Sequence, residues 1–320
     1  MAKIITVGAA IQDVFLSQSD ALTPVCESPE HCFARLDLGA KADVNQIHFS
    51  TGGGATNAAV TFSRQGHYAS FMGAIGHDPA GQAVIADLDK ENIDTHLVRY
   101  SPKYSTGYSV LLLASNGERT ILTYRGASTH YHEADFDLSE EDADWLYVST
   151  LAGNMPMLHK LFQQAKRRDM KICFNPGKKE LVQKDKLLGL LSDVDVLTLN
   201  KEEMQQLVSG EDLEALVRRG LRLVPVVLVT DGVNGSIASD GKTIVRALMY
   251  DDRPSIDRTG AGDAFASGFL SEWARSGNLK NSVIMGSANA SSVVMKIGAK
   301  AGILYAGTVL HAMPIQEREL

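Results

Sequence analysis

Cysteine is scarce in this chain, with three in 320 residues at Cys26, Cys32 and Cys173. Three thiols cannot build the disulfide framework of a small secreted domain, and the count fits a reducing cytoplasm. The stretch CESPEHC, residues 26–32, offers Cys26, His31 and Cys32, yet its spacing matches no standard zinc pattern and a fourth ligand is not evident. It reads as an exposed loop. Long hydrophobic runs are also missing, and stretches such as Val226–Val229 are far too short to span a bilayer. The opening MAKIITVGAAIQD has one Lys and a short apolar run that meets Asp13, which fits a buried first strand better than a signal peptide. Positive charge is in deficit, with 31 Lys and Arg against 38 Asp and Glu, a net charge of −7. That balance argues against a nucleic-acid partner and against binding to an anionic membrane.

Two familiar phosphate-binding motifs are absent as well. SDGKTI (239–244) contains the tail of a Walker A loop, but that motif needs a glycine five residues before its Gly-Lys pair, and Ser236 stands there. Asp240-Gly241 lies instead between two strand patterns, SIAS and TIVRA, and predicts a hairpin turn. The dinucleotide fingerprint G-x-G-x-x-G fails at Gly260, where its third glycine would be Phe265, and fails again at GGGATN (52–57).

What is present is an ordinary globular composition, 44% apolar and 22% charged, at a length that suits one large α/β domain or two smaller ones. Strand-like apolar runs alternate with helical patterns. Ile4–Val7, Ser70–Ile75, Leu146–Ser149, Ile172–Phe174, Val194–Leu199 and Val224–Thr230 read as strands. Helices are expected over about 55–65, 81–92, 155–167 and from Lys201. Such alternation predicts a mostly parallel sheet with helices on both faces. Two stretches break the rhythm. Residues 11–50 hold short extended segments, and 104–124 predict a hairpin turning at Asn116-Gly117. They are expected to form a small β-sheet lid on a single domain spanning 1–320. In YSVLLLA both strand faces are apolar, so substrate would cover one face and a partner subunit the other.

The chemistry concentrates in DRTGAGDAFASGF, residues 257–269. Gly260 and Gly262 remove two Cβ atoms just before a helical pattern, so they sit at a helix N-terminus. Free N–H groups and the positive end of the dipole attract an anion there. Asp263 stands in the first turn, an acid beside an anion-binding turn. This pattern suggests proton abstraction next to a phosphate.

Here the chain resembles the ribokinase/PfkB family of carbohydrate and nucleoside kinases. DRTGAGD (257–263) is similar to its C-terminal signature, and GGGATNAAV (52–60) to its N-terminal glycine motif. Gly8 followed by Asp13 resembles its opening strand and substrate-binding Asp. FNPGK (174–178), NKEE (200–203), TDGVNG (230–235) and KIGAKAG (296–302) follow in the family's order. The resemblance implies a ribokinase-like fold and an ATP-dependent transfer of the γ-phosphate to a hydroxyl, with Mg²⁺ and possible K⁺ as cofactors. Asp263 is then the general base, and Gly260, Ala261 and Gly262 form the anion hole. Asn200 and Glu203 would contact phosphate and water-bound Mg²⁺. Thr230, Gly232 and Gly235 would form the ATP loop, and Asn289 would touch adenine, with Ser287 as the competing position. Asp13, Gly53 and Asn57 would hold sugar hydroxyls, and Arg125 in TYRGAS would meet a carboxylate or phosphate. Asp257, Thr259 and Gly298 would surround a monovalent cation, mostly through backbone oxygens.

The chain departs from ribose-specific members, with Gly54 in place of a Lys and Thr150-Leu151-Ala152 in place of a sugar-binding Glu. The expected acceptor is therefore a sugar or sugar derivative other than ribose. A nucleoside is the alternative, because Phe15, Phe33, Phe49 and Tyr108 would suit a base; a non-catalytic nucleotide- or sugar-binding regulator is the reading from another class. A homodimer through the lid is the expected assembly.

Overall fold

The structure is a computed structural model and describes residues 1–28, 31–114, 119–250 and 255–320. The strands in chain order are β1 (Lys3–Val7), β2 (Ile11–Ser17), β3 (Val25–Ser28), β4 (His31–Phe33), β5 (Gln46–Gly52), β6 (Tyr68–Gly76), β7 (Val98–Ser101) and β8 (Gly107–Leu113). They continue with β9 (Arg119–Tyr124), β10 (Trp145–Val148), β11 (Lys171–Phe174), β12 (Val196–Asn200), β13 (Val226–Thr230), β14 (Ser236–Ser239), β15 (Thr243–Ala247) and β16 (Ile315–Glu319). The helices are α1 (Gly54–Arg64), α2 (Pro79–Lys90), α3 (Met155–Arg167), α4 (Lys178–Leu181), α5 (Lys184–Leu190), α6 (Lys201–Leu207), α7 (Leu213–Gly220), α8 (Ala261–Ser276) and α9 (Leu279–Val293).

The large sheet has the order β16-β15-β14-β13-β12-β11-β10-β1-β6-β7. It is parallel from β13 through β7 and antiparallel from β13 to β16. Its strands are apolar on both faces because helices cover both. Ile5, Leu146, Val148, Ile172 and Leu197 pack with α3, α5, α6 and α7 in one core. Ile4, Tyr147, Cys173, Val196 and Leu228 point the other way and pack with α1, α2, α8 and α9. That split follows the two-residue period of a strand. Helix α3 shows the matching helical period, with Met157, Leu158, Leu161, Phe162 and Ala165 buried and Asn154 capping its N-terminus by accepting from Met157 N–H.

The small sheet has the order β5-β2-β8-β9. One face, with Asp13, Ser109 and Ile121, turns toward the cleft at the ends of the parallel strands. The other carries Ile47, Phe49, Leu122 and Tyr124, each more than half exposed. The turn expected at Asn116-Gly117 lies outside the described residues, but β8 and β9 pair antiparallel on either side of it.

One feature overturns the sequence reading, and two elements, β16 and α9, lie outside it. Cys26 and Cys32 do not lie in a loop: they stand on β3 and β4, which pair, and they face each other and form a disulfide. Directly opposed positions on two strands bring Cβ atoms within bonding reach. Strand β16, IQERE, has almost no apolar signal and is found only through its pairing with β15. Helix α9 has no polar stripe, because it is buried against α8 and the sheet. Among the described residues no helix is long and apolar enough to cross a membrane.

Candidate active site

Two glycine turns bring two helix N-termini together. Gly53 (φ 102°) precedes α1, and Gly260 (φ 77°) precedes α8. A Cβ on Gly53 would collide with the Ala9 carbonyl oxygen, and one on Gly260 would lie 2.5 Å from Ala299 Cβ. Both the backbone angle and the space therefore exclude a side chain. Neither helix has a side-chain cap. In α8 the Ala261 N–H donates to Arg258 O at 3.3 Å, and among the described residues Gly262 and Asp263 N–H have no backbone acceptor. These free amides stay open to an anion.

Asp263 joins the two turns. Asn57 Nδ2 in α1 donates to its Oδ2 at 2.8 Å. Burial raises the Asp263 pKa, and the Asn57 hydrogen bond opposes that shift. The Asn57 Oδ1 is buried with no hydrogen-bond partner among the described residues. Gly54 packs so tightly that a Cβ would collide with Ser149 Oγ and lie 3.1 Å from Asp263 Oδ1.

Three pockets converge on the α8 turn. The lid pocket is lined by Asp13, Gly53, Asn57, Ser109, Arg125, Thr150 and Ala152, with Gly260 and Asp263 at its floor. The central pocket shares Gly260 and Asp263 and adds Asn175, Thr198, Asn200, Glu203, Thr230 and Arg258. The outer pocket shares Thr230, Arg258, Ala261 and Gly262 with the central one and extends along Gly232, Gly235, Phe265 and Ser287. Asp263 stands where the first two meet.

In the lid pocket, Asp13 is buried and its pKa is raised to about 6. Burial is the main cause, the Ser109 hydroxyl and the Lys300 charge oppose it, and Asp257 adds to it. Arg125 is exposed at the rim. In the central pocket, Asn200 caps α6. Its Oδ1 accepts from Glu203 N–H at 2.9 Å, and Glu203 Oε2 accepts from Asn200 N–H at 3.0 Å. Burial raises the Glu203 pKa, the Asn200 N–H lowers it, and Asp263 raises it further. The outer pocket needs its glycines: Gly232 has φ 51° and Gly235 φ 90°, and a Cβ on Gly235 would collide with Ala247 O.

Asn289 needs correcting. It is wholly buried behind the outer pocket, its Nδ2 donating to Ala264 O at 2.8 Å and its Oδ1 accepting from Leu304 N–H at 2.9 Å. Its amide is spent joining α9, α8 and the loop before β16. Ser287, two residues earlier and so on a different face of α9, lines the pocket, and its hydroxyl is buried without a partner. Asp257, Thr259 and Gly298 do come together. Asp257 Oδ1 accepts from Thr259 N–H at 2.9 Å and Oγ1–H at 2.6 Å, and its Oδ2 accepts from Gly298 N–H at 3.0 Å. Arg119 Nη1 lies 3.8 Å from the same carboxylate. This carboxylate anchors the turn before α8 and has a guanidinium beside it. Phe15 and Phe49, candidates for stacking on a base, are not in the lid pocket; Phe15 is buried and Phe49 faces outward. Its apolar wall comes instead from Ile11, Leu111 and Ile121.

Some site residues escaped the sequence reading. Arg258, inside the DRTGAGD motif, is the cation shared by the central and outer pockets. Glu180 is fully buried and shapes the lid pocket from behind. Its Oε1 accepts from Leu151 N–H at 2.9 Å and Gly153 N–H at 2.7 Å, and its Oε2 from Thr150 Oγ1 at 2.8 Å and Gly177 N–H at 3.1 Å. The loop it holds places Ala152 at φ 57°, a left-handed position for a residue with a side chain. The signal was the spacing Gly177 to Glu180, at which a glutamate three residues into α4 reaches back to the N–H of the residue before the helix.

Comparison with known proteins agrees with this geometry. The model of the pfkB family carbohydrate kinases matches residues 23–304. A ribokinase of Haemophilus influenzae is 26% identical over 265 residues, covering 79% of this chain and 83% of that protein. A fructokinase of Klebsiella pneumoniae is 30% identical over 251 residues, covering 71% and 78%. In fold, a nucleoside kinase of Methanocaldococcus jannaschii, itself an archaeal member of the ribokinase family, superposes with a TM-score of 0.76 at 22% identity and covers 95% of each chain. With two opposed glycine turns and an aspartate at their junction, and with a family model that spans most of its length, this chain belongs to the pfkB family of carbohydrate kinases.

Proposed function

We propose that the protein transfers the γ-phosphoryl group of ATP to a hydroxyl of a sugar or sugar derivative in the lid pocket. The observation that carries this reading is Asp263, placed between two pockets and beside the uncapped amides of α8. The outer pocket would take the nucleoside, with the Ser287 hydroxyl and the backbone at Gly232 and Gly235 against it. The central pocket would take the phosphates, with the Arg258 guanidinium balancing their charge.

In the reaction, the acceptor hydroxyl oxygen bonds to the γ-phosphorus while its proton passes to the Asp263 carboxylate. The bond from the γ-phosphorus to the bridging oxygen breaks, and ADP leaves with that electron pair. The α8-turn amides left without a backbone acceptor, those of Gly262 and Asp263, would stabilise the charge on the transferring group, as an oxyanion hole does. The raised pKa of Asp263 suits a base that must hold the proton it takes. On the acceptor side, Asp13, Asn57 Oδ1 and Ser109 would bind neighbouring hydroxyls and so orient the reacting one.

Magnesium fits the central pocket. Its carboxylates are Glu203 and Asp263, its other side-chain oxygens come from Asn175, Asn200, Thr198 and Thr230, and among the described residues no group of three or more His, Cys, Asp or Glu forms a cage. Such a sparse set suits an ion that keeps several waters and is held mainly by substrate phosphates. Bound there, it would neutralise phosphate charge.

A nucleoside acceptor is the second reading, favoured by the apolar wall of Ile11, Leu111 and Ile121. The outward face of the lid sheet, with Phe49, Ile47, Leu122 and Tyr124 exposed, would be covered by a second copy of the chain. Light scattering on the purified protein tests this, since a monomer at micromolar concentration would contradict it. The activity itself is tested by ADP release with a panel of acceptors, in which sugars should exceed nucleosides in kcat/KM.

A further inference from the structure

A lysine ammonium lies buried where three parts of the site meet. Lys300, in the KIGAKAG segment after α9, is 6% exposed. Its Nζ donates to Thr51 Oγ1 at 2.7 Å and to Asp87 Oδ2 at 2.9 Å. Thr51 stands in β5 just before the Gly52-Gly53 turn, and Asp87 belongs to α2. The residues next to Lys300 reach the other half of the site. Ala299 occupies the space that a Cβ on Gly260 would need, and Gly298 N–H donates to Asp257 Oδ2 at 3.0 Å. The Lys300 carbonyl is itself fixed, accepting from Arg64 Nη1 of α1 at 3.0 Å. One residue thus grips the foot of the lid and α2 with its side chain, while its neighbours press on the α8 turn.

An ion pair at this depth is a poor device for stability alone. Burial disfavours the ammonium, and Asp87, Asp13 and Glu91 favour it. Well-packed apolar groups often serve stability as well as a buried ion pair. Two directed hydrogen bonds fix a distance and an angle, which apolar packing does not.

We propose that Lys300 is a positioning residue that holds the lid pocket in register with the α8 turn by tying the hydrogen-bonded pair Thr51 of β5 and Asp87 of α2 to the 298–300 segment that packs on that turn. The proposal rests on reading the α8 turn and Asp263 as the transfer site. Its charge serves the same end at Asp13. There it opposes the burial effect together with the Ser109 hydroxyl, and Asp257 acts against both. Near-attack geometry is steep in distance, so a small loosening between the two halves reaches the rate.

Thr51→Val and Lys300→Met test the proposal, with thermal unfolding measured beside each. Thr51→Val keeps the side-chain shape and leaves the Lys300–Asp87 pair intact, but removes both bonds of the Thr51 hydroxyl, the one it accepts from Lys300 and the one it donates to Asp87 Oδ2, so Lys300→Met, which spares the Thr51–Asp87 bond, is read beside it. With D-fructose and D-ribose as probes, both variants should raise the sugar KM by about tenfold and lower kcat, with the ATP KM within about twofold of the parent. Amide hydrogen exchange supplies a readout that needs no turnover. In Thr51→Val the amides of β5 and β2 should exchange about tenfold faster while those of β12 and β13 stay unchanged. Unchanged exchange in β5 and β2, or equal losses in sugar and ATP KM, would overturn the proposal. Failure of the parent to phosphorylate any sugar would overturn the sugar-acceptor reading alone, since the exchange result stands without it.

Discussion

The Asn57 amide donates to the Asp263 carboxylate at 2.8 Å, linking the first turns of α1 and α8 across 206 residues of sequence. The contact fixes the carboxylate at the floor of the lid pocket and leaves its other oxygen toward Gly54, where no side chain fits. Asp263→Asn keeps the shape and removes the base. It should lower kcat by at least about 100-fold while ATP affinity changes by less than about fivefold. Steady-state kinetics and nucleotide titration of the variant check this.

Gly54 gives a second expectation. Gly54→Ala places a methyl against Ser149 Oγ and beside Asp263 Oδ1. The carboxylate must then move, and kcat should fall by roughly tenfold or more. Gly54→Lys, which restores the residue type of ribose-specific relatives, should abolish turnover rather than create a ribose preference. Measured kcat/KM for D-ribose in that variant decides it.

Asp13 links function to stability with opposite signs. Its carboxyl is raised from 3.8 to about 6, so the folded state holds the proton more tightly than the unfolded chain. Above pH 6 the ionised group therefore costs stability. The cost is relieved as pH falls through 6 and is gone below the unfolded value. Asp13→Asn should stabilise the protein at pH 8, by up to about 3 kcal/mol, with the gain vanishing near pH 4. The same variant should raise the acceptor KM by about tenfold or more, because an amide is a poorer acceptor for two hydroxyls. Urea unfolding at the two pH values and a KM determination check the pair of effects.

Much of this site was legible from short sequence features whose physics is local. Glycines that need φ above zero, at Gly53, Gly260 and Gly235, announce their turns. Helix α3 was legible because its apolar period and its Asn154 cap lie within one segment. What stayed hidden depends on distant partners. Asn289 and Ser287 differ by two positions on α9, and only the packing of α8 and the 298–304 segment decides which one meets the pocket. Glu180 and Lys300 look like surface residues in sequence, since charged side chains usually are. Each is buried by partners from separate segments, residues 150–153 and 177 for Glu180, Thr51 and Asp87 for Lys300. The Cys26–Cys32 bridge was missed because the pairing of β3 with β4 has no strong pattern of its own.

Glu180 supplies a further prediction. Glu180→Ala leaves three backbone N–H groups and the Thr150 hydroxyl without their acceptor in a buried site. Unfolding free energy should drop by about 3 kcal/mol or more, given roughly 1–3 kcal/mol for each unsatisfied group and some relaxation. Urea denaturation measures that loss. In the folded fraction the acceptor KM should rise while the ATP KM is preserved, because the freed loop lines the lid pocket and not the outer one.

The central claim is ATP-driven phosphorylation of a sugar hydroxyl at Asp263, and acceptor-dependent ADP release tests it most directly. The parent protein with ATP and Mg²⁺ is offered pentoses, hexoses, sugar acids, sugar phosphates and nucleosides, and each reaction is followed by ADP and by the phosphorylated product. The account predicts that at least one sugar or sugar derivative gives ADP and sugar phosphate in equal amounts, and that Asp263→Asn abolishes most of that release. ADP release that is indifferent to every acceptor, or that persists in Asp263→Asn at close to the parent rate, would contradict it.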